Sequence, residues 1–330
     1  MRLCYVIANR SGSGLYRVKI PARHLEKILD VSVIEKIDTV ALAVNDVFVI
    51  QYTVNEEYPN LISEWRKKGR TFIFELDDNL WGIMEGNAAR PYWSPERISM
   101  AEQIIRHCDA VTVSTQPLAD IVSRHNKNVH VVPNYVEYPT AIRQRRDTPE
   151  VRIGYCASMS HIPDMDEEIV EALRKIKERY GYRVEFIFID WIKRPLAGKA
   201  TLFPPVMPAD YLNFIHRLDL DIGLIPCVMT QFNECRSNLK YLEYSITNAA
   251  SIASPVYPYI TTIEDGKGIV LRDNSQSQWY EAISMLIEDD ALRKKMAAEA
   301  YNHIVDNYLM ERNAPAIART YSSIRDQALC

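Results

Sequence analysis

Apolar residues in this chain gather in short, nearly unbroken runs, and between the runs they recur at helical spacing. In the first half the runs cover residues 3–8, 47–52, 71–76, 110–114 and 129–132; in the second they cover 151–157, 184–189, 220–225, 249–253 and 266–271. Runs of this kind, without alternation of polar and apolar positions, predict strands buried on both faces of a parallel sheet. The intervening spacing predicts a helix over 61–68 with Gly69 as its stop, and another ending at Arg106, with Ser94 as cap and Pro95 at the first helical position. Further helices are predicted over 116–124, from about residue 164, and over 211–216, 279–287, 291–308 and 314–323. Strand and helix alternate through both halves, which predicts an α/β protein of two Rossmann-like domains. Residues 138–150 are proline-flanked, charged and poor in apolar side chains, and mark the boundary. The expected division is 1–138, a linker over 139–150, 151–313, and a C-terminal segment over 314–330.

Composition changes this picture little. The 330 residues suffice for two cores of ordinary size, and 47% hydrophobic with 25% charged residues is the balance of a soluble globular protein. No apolar run reaches the length of a membrane span, and the short run after Arg2 reads as a first strand rather than a signal peptide. Cys4, Cys108, Cys156, Cys227, Cys235 and Cys330 are scattered, with no CxxC pair and no histidine at zinc spacing. Two of them fall in predicted strands, so a reduced, cytoplasmic setting is expected. A net charge of −4 gives no general attraction to nucleic acid or anionic membrane.

Candidate chemistry concentrates at residues 232–254, FNECRSNLKYLEYSITNAASIAS. Leu239, Leu242 and Ile246 lie on one helical face, with Ser237 and Asn238 at the cap positions ahead of them. Free backbone N–H groups and the positive helix end make such a start a phosphate site, to which Lys240 in the first turn adds a charge. Glu243, three residues on, is placed to accept hydrogen bonds from a sugar diol. Phosphate at the helix start and a carboxylate one turn in suit a nucleotide-sugar; a capped amphipathic helix with a surface Lys and Glu is the plainer alternative.

Three other segments carry candidates. The loop with Gly12, Ser13 and Gly14 follows the first strand, but it lacks the GK ending of a P-loop, and Arg17 occupies the third glycine position of a dinucleotide fingerprint. Arg10, Arg17, Lys19, Arg23 and Lys27 make the segment after it basic, as an anion-binding or merely solvated face. Asp77 and Asp78 end a strand where open α/β sheets bind ligands. Their side chains diverge, so they are read as partners of an acceptor hydroxyl or as a helix cap, and no metal site is expected. Ser158, Ser160 and His161 form the loop after the first strand of the second half, where a neutral histidine can donate to a phosphate oxygen. Arg143, Arg145 and Arg146 in the linker are either anion contacts or a solvated stretch.

The run from Ser237 through Lys240 to Glu243 resembles the donor-binding motif of GT-B glycosyltransferases, especially family-4-like members. FELDDNLW, ending at Trp81, is similar to a segment of a bacterial and phage-associated branch of these enzymes. So is GYCASMSHIPD, ending at Asp164. The stretch from Asp109 to Asn134 resembles the close of the N-terminal domain in the family. The resemblance implies two Rossmann-like domains facing across a cleft, with the final helix crossing back onto the first domain. It implies transfer of a sugar from a nucleoside diphosphate, UDP foremost, to a hydroxyl, with retention of configuration and no required cofactor. Donor contacts would come from Gly12, Ser13, Gly14, Ser158, Ser160, Arg236, Ser237, Asn238, Lys240 and Glu243. Arg17, Lys19 and Asn134 would serve the acceptor side, and Asp77, Asp78, His161 and Glu234 the chemistry.

One departure stands out: the family's second acid, eight residues before Glu243, is Cys235 here, and Glu234 is one residue out of register. The acceptor would be a saccharide or cell-surface glycan, or a hydroxymethylated base in phage-type DNA. In the latter case the setting would be the host cytoplasm. The contrasting reading is a degenerate module that binds a sugar nucleotide or a partner without turnover.

Overall fold

The computed structural model describes residues 1–143, 146 and 148–330; Arg145, one of the linker arginines considered above, lies outside the described residues. Two six-stranded parallel sheets form the frame. The first holds β1 (Arg2–Val6), β2 (Asp30–Ile34), β3 (Val47–Gln51), β4 (Thr71–Leu76), β5 (Ala110–Val113) and β6 (Val129–Val131), in the order β2-β1-β3-β4-β5-β6. The second holds β7 (Val151–Cys156), β8 (Val184–Ile189), β9 (Thr201–Phe203), β10 (Ile222–Ile225), β11 (Ala250–Ala253) and β12 (Ile269–Val270), in the order β12-β11-β10-β7-β8-β9. Strand order reverses between β1 and β3 in one sheet and between β7 and β10 in the other. Loops leaving the strand ends at such reversals splay apart and open a crevice.

The central strands are the unbroken apolar runs: β3 and β4 are buried at every position, and Phe48 stacks on Phe72 with ring centroids 5.1 Å apart. Two strands were not anticipated. DVSVI forms β2 at a sheet edge, where only one neighbour pairs with it and its side chains stay exposed or half-buried. TLF forms the edge strand β9, three residues long. A helix over Thr39–Val44, capped by Asp38, was also not anticipated. The last predicted strand shrinks to Ile269–Val270. The helix expected from about residue 164 begins at Glu167, after a tight turn over Met159–Asp164; Asp166 caps it by accepting from Glu168 and Ile169 N–H.

After the loop at Gly12 the chain makes a short helical turn, a widened π-type turn over Leu15–Lys19, and a regular helix over Ile20–Leu25. Pro21 has no N–H to return to the carbonyl of Arg17, so the α-helical ladder is interrupted there. The Ile20 N–H reaches back to Leu15 O instead. The extra residue in the turn carries Tyr16, Arg17 and Val18 inward, and all three are buried.

The chain end returns to the first half. Val136 N–H donates to Tyr308 O at 3.0 Å, and Met310 N–H donates to Val136 O at 2.9 Å. The final helix, Met310–Ala328, buries Ile317 and Tyr321 in the same cluster as Tyr5 and Leu25, and the Tyr5 and Tyr321 hydroxyls lie 3.2 Å apart. Arg143 and Arg146 bind the linker to the second half: Arg143 donates to Thr247 O at 3.0 Å, and Arg146 meets Asp221 at 2.9 Å.

Candidate functional site

A cavity of about 360 Å³ opens between the two sheets. From the first half it is lined by Ser11, Gly12, Ser13 and Tyr16 after β1, by Asp77 and Asp78 after β4, and by Asn134 after β6. From the second it is lined by residues 157, 158, 160 and 161 after β7, by Ile189 and Asp190 at the end of β8, and by Arg236, Ser237, Lys240 and Glu243. Pro205, Val206, Pro208 and Tyr211 complete an apolar side.

The helix Leu239–Ile246 starts at this cavity. The N–H groups that open an α-helix lack intrahelical acceptors and make its start electropositive; of these the Tyr241 N–H already turns back to Asn238 O at 3.0 Å. Lys240 Nζ donates to Glu243 Oε2 at 2.9 Å and to the Tyr211 hydroxyl at 2.7 Å. Glu243, only 2% exposed, takes a second hydrogen bond on Oε1 from the Tyr16 hydroxyl at 2.8 Å, which spans the cleft. Asn134 makes a second crossing, its Nδ2 donating to Ser237 Oγ at 2.8 Å while its Oδ1 accepts from Arg17 at 2.8 Å.

Beside the helix start stands a charged cluster. Asp164, fully buried, accepts from Arg236 at 2.9 Å, from Asn233 Nδ2 at 2.7 Å and from His161 Nδ1 at 3.2 Å. Burial and the Arg236 charge push His161 down to about 4 despite Asp164, so its ring is neutral at pH 7. Burial would raise Asp164, but the His161 hydrogen bond and the Arg236 charge outweigh it and hold the carboxyl below its usual range. Arg236 keeps its charge, because Asp164 and Asp78 together outweigh its burial.

On the facing side, burial raises Asp77, opposed by a hydrogen bond with Ser13 and the charge of Arg17. Asp78 is pushed up to about 6, first by burial and then by Asp77, with Arg236 opposing. The second-half side of the cavity therefore presents Arg236, Lys240 and a helix start along with the carboxylates of Glu243 and Asp190, and the first-half side presents Asp77 and Asp78. That distribution suits a bound diphosphate facing a hydroxyl group.

Thus the structure brings Gly12, Ser13, Asp77, Asp78, Asn134, Ser158, Ser160, His161, Arg236, Ser237, Lys240 and Glu243 to one cavity. Gly14 lies beneath it, pressed so closely on Asn9 that a Cβ would sit 2.0 Å from the Asn9 carbonyl oxygen. Asn238 turns away, its Nδ2 donating to Thr262 Oγ1 at 3.1 Å. Arg17 is 4% exposed and committed to Glu75 at 2.7 Å and to Val132 O at 2.7 Å. Lys19 is exposed and away from the cavity.

Glu234 also lies off the cavity, its Oε2 accepting from the Tyr257 N–H at 2.7 Å. Cys235 is buried among first-half residues, and its carbonyl accepts from Thr115 Oγ1 at 2.7 Å. Sequence reasoning missed Tyr16, Tyr211 and Asp190. Asp190 has φ of 73°, and its carboxylate takes the Met159 N–H at 3.0 Å. Nothing in local spacing marks Tyr16, whose partner lies 227 residues away.

No family model matches the chain, and no curated protein matches it. Solved structures do. HepE from Anabaena, crystallised with UDP and glucose, superposes with a TM-score of 0.68 at 12% identity, over 98% of this chain and 100% of its own. Sucrose-phosphate synthase from Thermosynechococcus elongatus gives 0.67 at 11% identity, over 98% of each chain. TarM from S. aureus, crystallised with fondaparinux, alpha-GlcNAc-glycerol and UDP, gives 0.59 at 14% identity, over 92% of this chain but only 58% of TarM. At these identities the likeness is one of fold. The architecture is GT-B: two Rossmann-like α/β units facing across a cleft.

Proposed function

We propose that the chain is a glycosyltransferase, family-4-like in its donor site, that moves a sugar from a nucleoside-diphosphate sugar to a hydroxyl of a glycan acceptor. The observation that carries this reading is the convergence of Arg236, Lys240, the start of Leu239–Ile246 and buried Glu243 on one side of a cavity whose other side presents Asp77 and Asp78. The cations and helix dipole would hold the diphosphate and stabilise the charge that grows on it as the sugar leaves. Glu243 would take the ribose hydroxyls. Neutral His161, its Nδ1–H held by Asp164, has only an accepting Nε2 left, 3.4 Å from Arg236, and would orient that guanidinium toward the diphosphate rather than donate to it. UDP is the favoured nucleotide, since HepE and TarM were each crystallised with it.

A glycan acceptor is favoured over DNA by the fate of the basic segments. Arg10 meets Glu35 at 3.1 Å, Arg17 meets Glu75, and Arg23 meets Glu137 at 3.0 Å. Arg66, Lys68 and Arg70 are likewise matched with Asp109, Glu64 and Asp46. Matched pairs neutralise one another and offer a phosphodiester backbone little. The acceptor side of the cavity itself is anionic. A reducing compartment suits the chain, whose six cysteines are all unpaired and five of them buried. Among the described residues no helix is long and apolar enough to cross a membrane.

A thermal-shift screen tests this reading, with UDP, GDP, ADP, UDP-glucose and UDP-N-acetylglucosamine, and NAD as control. A ligand at a hundred times its Kd stabilises the native state by roughly 2.7 kcal/mol. A rise in Tm with one nucleotide family, cut to about half or less in Lys240→Ala, is expected. A rise with NAD alone, or with nothing, overturns the proposal. Binding without turnover of any acceptor would instead favour the non-transferring module, whose support is the buried thiol of Cys235 where the family has an acid.

A further inference from the structure

We propose, resting on the glycosyltransferase reading above, that the acceptor is longer than one sugar and that its second ring sits in an aromatic groove walled by Trp81 and Trp93, beside the cavity. The segment that builds this groove is long for its place. Residues 77–94 run from the end of β4 to the helix Pro95–His107 with only a tight turn over Arg90–Tyr92, where such a connection ordinarily takes about 2–6 residues. Asp77 and Asp78 line the cavity, and from Leu80 onward the segment lines a separate groove of about 810 Å³, completed by Pro95 and Ile98. That volume lies within the roughly 300–1,000 Å³ of pockets that hold small ligands. The same segment reaches the second half, where Thr230 Oγ1 donates to Met84 Sδ at 3.1 Å, and so stands at the cleft rather than behind the sheet.

Tyr52 joins the two spaces. Its hydroxyl accepts from Asn9 Nδ2 and is held protonated by burial and by the charges of Asp77 and Asp78. Its ring meets Trp93 edge-on, with centroids 6.2 Å apart. A saccharide that presents one hydroxyl to the aspartates can therefore continue past Tyr52 to Trp93.

The aromatic walls are braced before any ligand arrives. One face of Trp81 is covered by His125, stacked at 4.9 Å, and its Nε1 donates to Glu102 at 2.9 Å. Trp93 meets Tyr92 edge-to-face at 5.2 Å, and Arg97 lies over the Tyr92 ring at 4.0 Å and donates to its hydroxyl. Rings held in this way lose little freedom on binding. Both tryptophans stay half-buried at the groove.

The chemistry of the walls names the occupant. The two indoles and the rings of Pro91 and Pro95 offer flat apolar faces, which match the C–H face of a pyranose. Arg90, exposed and with one nitrogen given to the Ile83 carbonyl at 2.8 Å, keeps further donors for the hydroxyls at the ring edge. Among the described residues no carboxylate lines this groove, unlike the cavity beside it.

The test measures binding by saturation-transfer NMR with UDP present. Maltose, cellobiose, lactose, chitobiose and mannobiose are compared with the methyl glycosides of their single sugars. At least one disaccharide should bind about tenfold or more tightly than its monosaccharide, the order that one stacked ring contributes. Trp93→Ala should remove most of that advantage. Ala88→Trp, which fills the groove from an exposed position and leaves every brace in place, should do the same. The UDP thermal shift should persist in both variants, which reports a folded donor site. A disaccharide advantage that survives both variants, or no disaccharide binding while UDP still raises Tm, overturns the inference and leaves the glycosyltransferase reading intact. A hydroxymethylated oligonucleotide that binds where the disaccharides do not, and is lost in Trp93→Ala, overturns the choice of a sugar. No UDP shift in the wild type overturns the reading itself and the inference with it.

Discussion

Arg17 is the residue whose removal should be felt most. Its side chain and that of Glu75 are 3% and 2% exposed, joined at 2.7 Å. Arg17 also donates to Val132 O and to Asn134 Oδ1, and Glu75 takes the hydroxyl of Thr112. Arg17→Met keeps most of the aliphatic volume and leaves a buried carboxylate without its cation. Breaking a buried pair from one side costs about 3–5 kcal/mol. A second route gives a similar size. Burial already holds the Glu75 carboxyl above its usual range, with Arg17 opposing. Without Arg17 it rises further and Glu75 folds protonated.

A carboxyl raised in the folded state loses stability as pH climbs above the unfolded value, because only the folded form still binds the proton. The unfolded value is about 4.3, and each pH unit from there up to the folded value removes about 1.4 kcal/mol, so a Glu75 still protonated at pH 7 would cost roughly 3–4 kcal/mol. Urea unfolding at pH 5 and pH 7.5, followed by circular dichroism and tryptophan fluorescence, reads this out. The Arg17→Met penalty should be at least 2 kcal/mol smaller at pH 5, and Arg17→Met/Glu75→Gln should regain most of the loss at pH 7.5. A penalty under about 1 kcal/mol, equal at both pH values and unchanged in the double variant, would refute the reasoning. It would return Arg17 to the acceptor-side role that its sequence position suggested.

Lys240→Ala removes the cation at the start of Leu239–Ile246 and should weaken UDP binding by about 1.5–3 kcal/mol, or ten- to a hundredfold in Kd by calorimetry. Gly14→Ala places a Cβ 2.0 Å from the Asn9 carbonyl oxygen, so the loop must shift; a lowered Tm equivalent to about 1–3 kcal/mol is expected. Asp78, with Asp77, Arg236, Tyr52 and Cys235 around it, would accept a hydrogen bond from an acceptor hydroxyl on both oxygens only when deprotonated. The transfer rate, kcat/KM against pH, should therefore fall as pH drops through about 6, and that limb should vanish in Asp78→Asn.

What the sequence made legible was whatever burial imposes locally. The inner strands read as unbroken apolar runs because both faces are covered, whereas DVSVI at one sheet edge and TLF at the other carry no such run. Ser237, Lys240 and Glu243 were found because helical spacing places them together. Glu234 shows the limit of that reasoning. Neither Glu234 nor the in-register Cys235 lines the cavity: Glu234 turns to the Tyr257 N–H, and Cys235 packs among first-half residues. Arg17 was read as part of a basic surface. The overlooked signal lay 58 residues away, where Glu75 stands inside the apolar strand TFIFEL and requires a buried partner.

Tyr16 and Asn134 carry the last step of the argument. Without ligand, Glu243 is satisfied from both halves: Lys240 on its own helix and the Tyr16 hydroxyl from across the cleft. A ribose that engages Glu243 must share that carboxylate with Tyr16 or displace it. A diphosphate at Ser237 meets a hydroxyl already held by Asn134, which Arg17 positions in turn. On the proposed reading, donor contacts made in the second half would be coupled through these bonds to the first half, which presents Asp77 and Asp78 to the cavity. A nucleotide would therefore change the partners of Tyr16 and Asn134 together. If Glu243 and Ser237 bind the donor as proposed, the two sides of the cleft would act as one site, because those side chains are the ones that bridge them.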